Sequence, residues 1–364
     1  MISEGFSEKL LQWHQQHGRK HLPWQQNKNP YYIWVSEIML QQTQVITVIE
    51  YYQRFMQRFP SLPSLADASL DEVLHLWAGL GYYSRARNLH RCAQQVVAQH
   101  QGQLPVDDLQ AMQQLPGIGP STAAAICAFS TGQRAVILDG NVKRVVSRYF
   151  AVPGWPGQTH VSRELWQKAD QLTPHQQLED YTQAIMDLGA TICTPRKPVC
   201  NLCPVAAACQ ARQLNLTGQL PEPRPKKILP EKHRFALVLL DIQQRIRLEQ
   251  RPDSGIWGGL WSLPEFENLE ALHQWLRQQH PTAICQTDQA EPMKHTFSHY
   301  RLILQPILAR LPEPTYNVTE PQPEAFNAPI QPLNWYDPQN PVNIGLAAPV
   351  TGLIKSLSKS GVNQ

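Results

Sequence analysis

Apolar residues recur at helical spacing through the first 210 residues of the chain. Runs with a period of three to four residues predict helices joined by short loops. The clearest of these runs are residues 6–13, 33–40, 45–59, 89–97 and 181–188. Ser69 stands before a further run with Glu72 at the capping-box spacing, which predicts another helix N-terminus. Strand-like alternation is scarce here, so we predict an all-α domain over residues 1–219.

The pattern changes after a proline-rich segment, residues 220–233, which cannot continue a helix and indicates a stiff linker. Beyond it the apolar residues follow β-like patterns interrupted by one helical run. The β-like segments are 234–241, 245–250 and 299–311, and the helical run is 269–280. These elements predict an α+β domain over residues 234–346.

The C-terminal part also contains segments without regular patterning. A proline-rich stretch covers residues 312–332, and the residues after 346 are polar. We expect residues 347–364 to form a flexible tail. Repair or replication proteins could bind these segments, but no motif identifies such a partner.

The composition is that of a globular protein with room for about two domains, at 364 residues with 42% hydrophobic and 17% charged. No apolar run approaches the ~20 residues that span a bilayer, and no secretory signal is recognisable. We therefore expect a cytoplasmic protein, nucleoid-associated in a bacterium, with no membrane partner. Residues 1–227 hold 21 basic and 16 acidic residues, a net charge of +5. Residues 228–364 hold 11 basic and 13 acidic residues, a net charge of −2. The basic part is suited to a polyanion.

Four of the seven cysteines crowd into 17 residues with the spacing C-x6-C-x2-C-x5-C. They are Cys193, Cys200, Cys203 and Cys209. An odd total in a reducing compartment argues against a disulfide framework, and the cluster indicates a metal centre. The spacing favours a [4Fe–4S] cluster over zinc, because a zinc ribbon usually offers two separated C-x2-C pairs. Unliganded buried thiols are the third interpretation.

Residues 115–123, LPGIGPSTA, predict a tight turn between two helices. Gly117 and Gly119 permit a backbone that presents N–H groups at a helix N-terminus, which is a natural phosphate site. A plain helix–turn–helix corner is the alternative.

Two carboxylates are candidates for acid–base chemistry. Glu37 shares a predicted helix face with Gln41 and Gln44 among apolar neighbours, and burial there would raise its pKa as a general acid requires. Asp139 precedes a predicted helix over residues 141–149, where it could cap the helix, act in catalysis, or do both. A surface position is the alternative for Glu37.

The combination of LPGIG, Asp139 and the cysteine cluster resembles helix-hairpin-helix DNA glycosylases that carry an iron–sulfur cluster. Within this group, SEIMLQQTQV, GLGYYSRARNL, ILDGNVKRV and HTFSHY resemble the MutY family, the adenine DNA glycosylases. The resemblance implies an all-α helix-hairpin-helix domain with a [4Fe–4S] cluster loop, followed by an α+β Nudix-like domain. It also implies excision of adenine mispaired with 8-oxoguanine or guanine in double-stranded DNA.

The resemblance assigns a role to individual residues. Glu37 matches the acid that protonates adenine, Asp139 the carboxylate that stabilises an oxocarbenium-like sugar, and Asn141 its polar partner. Leu22, Trp24 and Gln183 match the pocket for the flipped adenine, and Gln42 and Tyr82 match residues that wedge into the duplex. Gly117 and Gly119 match the phosphate-binding hairpin. The four clustered cysteines match the cluster ligands.

Ser121 separates two branches of the superfamily. In the related endonuclease III enzymes a lysine stands at this position and attacks the sugar through a Schiff base, which a hydroxyl cannot form. The serine therefore predicts base removal without efficient strand cleavage, although Lys143 is near enough in sequence to trap some product.

The second domain begins with a fragment, residues 258–264, that resembles the approach to a Nudix box. The acidic REx2EExG pattern that should follow is missing, so pyrophosphate hydrolysis is not expected. Phe297, Ser298 and His299 match the loop with which the family recognises 8-oxoguanine. Taken alone, these three residues would more often form an ordinary turn.

Three other functions compete with adenine excision. A glycosylase/lyase for oxidised pyrimidines is disfavoured by Ser121 and by the second domain. A damage-binding protein without chemistry would need neither Glu37 nor Asp139. A standalone Nudix hydrolase is the weakest alternative.

Overall fold

The structure is a computed structural model that describes residues 2–225, 228–252, 255–285, 291–297, 299–312 and 335–359, with the backbone alone at 2–4 and 355–359. The chain divides into two compact units. The first comprises residues 1–68 and 84–226, and the second comprises residues 69–83 and 227–364.

Helices account for the regular structure of the chain up to residue 225. They are α1 (Ile2–His17), α2 (Pro30–Leu40), α3 (Val45–Arg58), α4 (Leu62–Ala66), α5 (Leu70–Trp77), α6 (Ser84–His100), α7 (Leu109–Gln114), α8 (Pro120–Thr131), α9 (Gly140–Tyr149), α10 (Thr159–Leu172), α11 (Leu178–Asp187) and α12 (Gln210–Gln213). All except α5 belong to the first unit. The predicted all-α fold of this part is confirmed. None of the described helices has the length and apolar character needed to cross a membrane.

The core of the first unit forms around α9, whose apolar side chains recur at helical spacing. Val142, Val145 and Val146 are almost fully buried and share one hydrophobic cluster with Phe6 and Leu10 of α1. Residues of α8, α10 and α11 complete this cluster. Burial of such side chains contributes ~1.5–3 kcal/mol each, which fixes the helix that Asp139 precedes.

The helix that carries Glu37 ends where the apolar run of residues 33–40 ends, before Gln41 and Gln44. Asn29 caps α2 by accepting a hydrogen bond from the Tyr31 N–H at 2.9 Å, and the helix ends at Leu40. Gln42 has a left-handed backbone with φ of 58°, and Gln44 is already the N-cap of α3. The expected common helix face of Glu37, Gln41 and Gln44 is therefore wrong, because the chain turns between them.

After residue 227, the described part of the second unit contains nine strands, seven in one sheet and two in a separate pair, and two helices. They are β1 (Glu231–Leu240), β2 (Ile246–Arg247), β3 (Glu249–Gln250), β4 (Trp261–Ser262), β5 (Glu265–Phe266), α13 (Leu269–Gln279), β6 (Ile284–Cys285), β7 (Met293–Thr296), β8 (Arg301–Arg310), β9 (Trp335–Tyr336) and α14 (Ala348–Lys359). The main sheet has the order β6-β8-β1-β2-β9, with β5 paired to β1 and β7 to β8, while β3 and β4 form a separate pair. The predicted α+β fold is confirmed.

The long strands β1 and β8 pair in parallel, from Glu231 with Arg301 to Leu240 with Arg310. Leu272 and Leu276 of α13 pack in one buried cluster with Leu237 of β1. β1 begins inside the segment expected to be the linker. The strands therefore start at residue 231, three residues before the expected domain boundary.

The C-terminal residues differ from the flexible tail that the sequence predicts. Residues 348–359 form α14, with Val350, Leu353 and Ile354 buried at helical spacing. Residues 69–83 also depart from prediction, because they group with the second unit, where His75 Nδ1 lies 3.4 Å from the Ile344 carbonyl oxygen. Most of the proline-rich stretch at 312–332 lies outside the described residues.

Candidate active site

One cavity of about 820 Å³ in the first unit brings together eight of the residues singled out from the sequence. Those that line it are Leu22, Trp24, Glu37, Gln42, Ser121, Asp139, Asn141 and Gln183. Tyr82, Phe297 and His299 belong to the second unit. Ser298 lies outside the described residues.

Asp139 is the N-cap of α9 and also faces the cavity. Its Oδ1 accepts the Val142 N–H at 2.8 Å, and its Oδ2 accepts the Asn141 side-chain amide at 3.2 Å. Burial raises the pKa of Asp139, while these N–H donors and the nearby Arg144 oppose that shift by favouring the ionised carboxylate. The predicted cap is confirmed.

Glu37 lines the same cavity in a less polar setting. Burial, with the charge of Asp139 as a smaller cause, raises the pKa of Glu37 from 4.5 to about 8. The side chain keeps some exposure towards the cavity, so a bound molecule could reach it. A carboxyl group with this pKa is protonated at neutral pH and available as a proton donor.

The two carboxyl groups therefore have unlike environments within one cavity. Burial raises the pKa of both groups, but only Asp139 also accepts hydrogen bonds from N–H donors that oppose the shift. A pair of carboxyl groups in unlike environments within one cavity is typical of acid–base catalysis.

Arg144, which the sequence analysis did not single out, connects the Asp139 site with the cysteine segment. Its Nη2 donates to Asn141 Oδ1 at 2.9 Å and to the Gly189 carbonyl oxygen at 2.6 Å. Its Nε donates to the Cys193 carbonyl oxygen at 2.7 Å. A basic residue one turn into α9 gave no signal beyond helix propensity, because its partners are distant in sequence.

A buried carboxylate behind Gln183 was also missed. Asp187 is 1% exposed, and its Oδ1 accepts hydrogen bonds from Gln183 Nε2 and Arg19 Nε, both at 2.8 Å. The backbone N–H of Arg19 donates a hydrogen bond to Asp187 Oδ2 at 2.8 Å. These bonds fix the Gln183 amide at the cavity wall. The only sequence signal was the i,i+4 spacing of Gln183 and Asp187 on one predicted helix.

Ser121 lines the cavity, but its hydroxyl has a structural partner. The Leu138 N–H donates to Ser121 Oγ at 2.9 Å, which ties α8 to the residue before Asp139. No lysine is among the described residues that line this cavity.

The predicted turn between two helices joins α7 and α8. Gly117 has φ of 78°, in the left-handed region, and a Cβ there would lie 2.8 Å from Asn88 Cβ. Gly119 is the N-cap of α8 with an ordinary φ of −85°, followed by Pro120 at the first helical position. Only the first of these glycines is therefore demanded by backbone geometry.

The four clustered cysteines line one small cavity in the first unit. Within the described part of the chain, no three His, Cys, Asp or Glu side chains are placed to hold a single metal ion. Burial raises the pKa of Cys203 to about 11, and Arg148 Nη1 lies 3.3 Å from Cys193 Sγ. The donor set of four thiols about a shared cavity fits a multinuclear cluster, which takes one thiolate at each iron, better than one zinc ion.

The second unit contains an aromatic cluster around Phe297. The Phe297 ring centroid lies 4.5 Å from that of His295, 5.1 Å from that of Trp257 and 5.1 Å from that of Tyr300. His299 is stacked at a larger distance, 6.4 Å. Glu265, in the segment where a Nudix helix would begin, is paired with Arg251 at 2.7 Å.

Family models match both parts of the chain. The HhH-GPD superfamily of base excision DNA repair proteins matches residues 35–171, and the NUDIX domain matches residues 235–356. An adenine DNA glycosylase from Buchnera aphidicola subsp. Acyrthosiphon pisum is 37% identical over 355 residues, which are 98% of this chain and 98% of that protein. The adenine DNA glycosylase of Homo sapiens is 37% identical over 82% of this chain and 66% of its own length.

Solved structures resemble the helical part. A thermostable thymine-DNA glycosylase aligns with a TM-score of 0.53 and 27% identity, covering 58% of this chain and 97% of its own. A trapped endonuclease III–DNA covalent intermediate aligns with a TM-score of 0.50 and 17% identity, covering 58% of this chain and 95% of its own. The second likeness is one of fold alone.

Proposed function

Because the chain belongs to the adenine DNA glycosylase family, and is thus a DNA-binding base excision repair enzyme, we propose that it hydrolyses the N-glycosidic bond of adenine mispaired with 8-oxoguanine or guanine. The observation that carries this proposal is the pair of carboxyl groups in one cavity, one with a raised pKa of about 8 and the other held by N–H donors that favour its anion. The two act on opposite sides of the bond that breaks, as in glycosidases.

Glu37 is the general acid. With a pKa of about 8 it holds a proton at neutral pH. Transfer of this proton to the adenine ring lets the base leave as a neutral molecule rather than as an anion.

Asp139 stabilises the positive charge that develops on the sugar as the bond breaks. The Val142 N–H and the Asn141 amide hold its oxygens in place and favour the anion. Its role is electrostatic or transiently covalent, and water completes the hydrolysis in both cases.

The adenine must leave the base stack before this chemistry occurs. Leu22, Trp24 and Gln183 line the cavity beside Glu37 and form the pocket for the flipped base. Gln42 and Tyr82 fill the space that the base vacates. Both are exposed residues with a left-handed backbone, φ of 58° and 49°, a conformation that often marks functional positions.

The enzyme is monofunctional. Ser121 cannot form an imine, and its hydroxyl is engaged by the Leu138 N–H. A strong borohydride-trapped adduct that persists in Lys143→Ala would contradict this assignment.

Cys193, Cys200, Cys203 and Cys209 would hold a [4Fe–4S] cluster. When bound, the cluster supplies a rigid cross-link between the short loops of this segment, and Arg148 contributes positive charge beside Cys193. We expect about four iron and four sulfide per chain, lost together in Cys203→Ser. One zinc per chain would contradict the cluster.

Phe297, Ser298 and His299 recognise 8-oxoguanine by stacking and hydrogen bonding. The rings of Trp257 and His295 pack against the Phe297 ring. The ratio of the adenine excision rate opposite 8-oxoguanine to the rate opposite guanine should decrease in Ser298→Ala/His299→Ala. An unchanged ratio would show that another part of the chain recognises 8-oxoguanine.

The decisive experiment is a single-turnover assay on duplexes with adenine opposite 8-oxoguanine, guanine or thymine, divided before and after hot alkali. We expect alkali-dependent cleavage at adenine opposite 8-oxoguanine, which disappears in Glu37→Gln. Cleavage without alkali would indicate that the protein has lyase activity. If protein that retains its iron–sulfur cluster gives no cleavage, a damage-binding function would be favoured.

A further inference from the structure

Arg85 is a buried cation that has no part in the chemistry proposed above. It lies on α6 and is 9% exposed. Its Nη1 donates to the carbonyl oxygens of Ile38 and Met39, at 3.0 and 2.9 Å, and to that of Gln41. Its Nη2 donates to Thr43 Oγ1 at 3.1 Å. One guanidinium thus binds both the last turn of α2 and the loop after it.

The first part of this contact completes the helix that carries Glu37. The last carbonyl groups of a helix have no partners within the helix, and their partial negative charge favours a cation. Arg85 satisfies two of them at once, those of Ile38 and Met39, which directly follow Glu37. A planar guanidinium with fixed donors can do this, whereas a lysine ammonium cannot match the same geometry.

The second part of the contact brackets Gln42. Arg85 binds the Gln41 carbonyl before it and the Thr43 hydroxyl after it. On the other side, Gln41 Nε2 donates to Thr122 Oγ1 of α8 at 3.2 Å. A left-handed backbone at a residue other than glycine persists only where its surroundings fix it, and these bonds fix Gln42 from both neighbours.

We propose that Arg85 is a positioning residue for base extrusion: it holds Gln42 in the left-handed conformation from which its side chain enters the duplex, in fixed register with the helix of the catalytic acid. This inference rests on the proposed function, in which Gln42 takes the place of the flipped base. Arg85 touches neither DNA nor adenine in this role.

A double-mutant cycle on the full-length protein tests the proposal. Arg85→Lys, Gln42→Ala and the double variant are compared in the Glu37→Gln background, where extrusion proceeds without excision. The probe is a duplex in which adenine lies opposite 8-oxoguanine and 2-aminopurine is the base next to that adenine. The fluorescence of 2-aminopurine rises when its neighbour leaves the base stack. We expect each single variant to slow unstacking about 10- to 100-fold. The double variant should be no slower than the slower single one, because Arg85 acts only through the side chain of Gln42.

Arg91→Lys, at an exposed position of the same helix, is the matched control and should leave unstacking unchanged. Thr43→Val removes one acceptor without touching the buried charge, so it should give a smaller loss even if Arg85→Lys unfolds. Additive losses in the cycle, or normal unstacking in Arg85→Lys, would overturn the proposal. Normal unstacking in Gln42→Ala alone would overturn it together with the wedge role of Gln42, while alkali-dependent adenine excision would still support the proposed reaction.

Discussion

Glu37 and Asp139 carry the same functional group, and their neighbours treat it differently. Asp139 receives N–H donors because it begins a helix, whereas Glu37 lies in the middle of one, where no backbone N–H is free to point at its side chain. Burial raises the pKa of both, and the position within the helix decides whether N–H donors oppose that shift. The roles proposed for the two groups therefore depend on local backbone geometry as much as on the shape of the cavity.

The excision rate should depend on pH through Glu37. Its acid form is the active one, so the single-turnover rate should be constant below its pKa of about 8 and fall about tenfold per pH unit above it. DNA affinity measured over the same range is the control. A rate that rises through pH 8 would contradict the role of Glu37 as an acid.

The same group should make stability depend on pH. The native state binds the Glu37 proton more tightly than the unfolded state, so the free energy of unfolding should fall as pH rises from 4.5 to about 8. The slope is about 1.4 kcal/mol per pH unit at most. Glu37→Gln should therefore gain stability over the unmodified protein as pH rises, measured by urea unfolding. Glu50→Gln, at an exposed position on α3, is the matched control, and parallel curves for Glu37→Gln and the unmodified protein would contradict the burial of Glu37.

At the scale of elements, the turn between α7 and α8 contains two glycines that differ in backbone conformation. Gly117→Ala should lower the free energy of unfolding by ~1–3 kcal/mol, because its φ of 78° and the nearby Asn88 Cβ oppose a side chain. Gly119→Ala should be close to neutral, since its φ is ordinary and no atom lies within 4 Å of the added Cβ. Equal losses in the two variants would show that the turn does not depend on the left-handed residue.

The elements were predictable where a local signal specified them. Asp139 before α9 and the glycines between α7 and α8 fixed helix ends through capping and turn chemistry. The contact of Arg85 with the end of α2 was missed, because Arg85 is 47 and 46 residues away in sequence from the Ile38 and Met39 carbonyl groups that it binds. The ion pair of Arg19 with Asp187 was missed for the same reason. Contacts that close large loops leave no periodicity for a single sequence to reveal.

At the scale of the whole molecule, charge is distributed unevenly along the chain. The balance of +5 in residues 1–227 and −2 in the remainder predicts that the helical part supplies most of the phosphate contacts. The logarithm of the DNA binding constant should therefore fall linearly with the logarithm of salt concentration. Ser298→Ala/His299→Ala should leave that slope unchanged while it alters lesion preference. A flat salt dependence of the unmodified protein would contradict the electrostatic argument.

Asp139 caps α9, and the catalytic role that we propose for the same carboxylate has a genetic consequence. Asparagine caps a helix about as well as aspartate, so Asp139→Asn should preserve the α9 terminus and the fold while it removes the charge needed for chemistry. Such an allele would encode a folded protein that still binds mispaired sites but does not excise the adenine. In a cell that also carries the normal gene, it should therefore raise the mutation rate by obstruction, whereas an allele that unfolds the protein should be recessive.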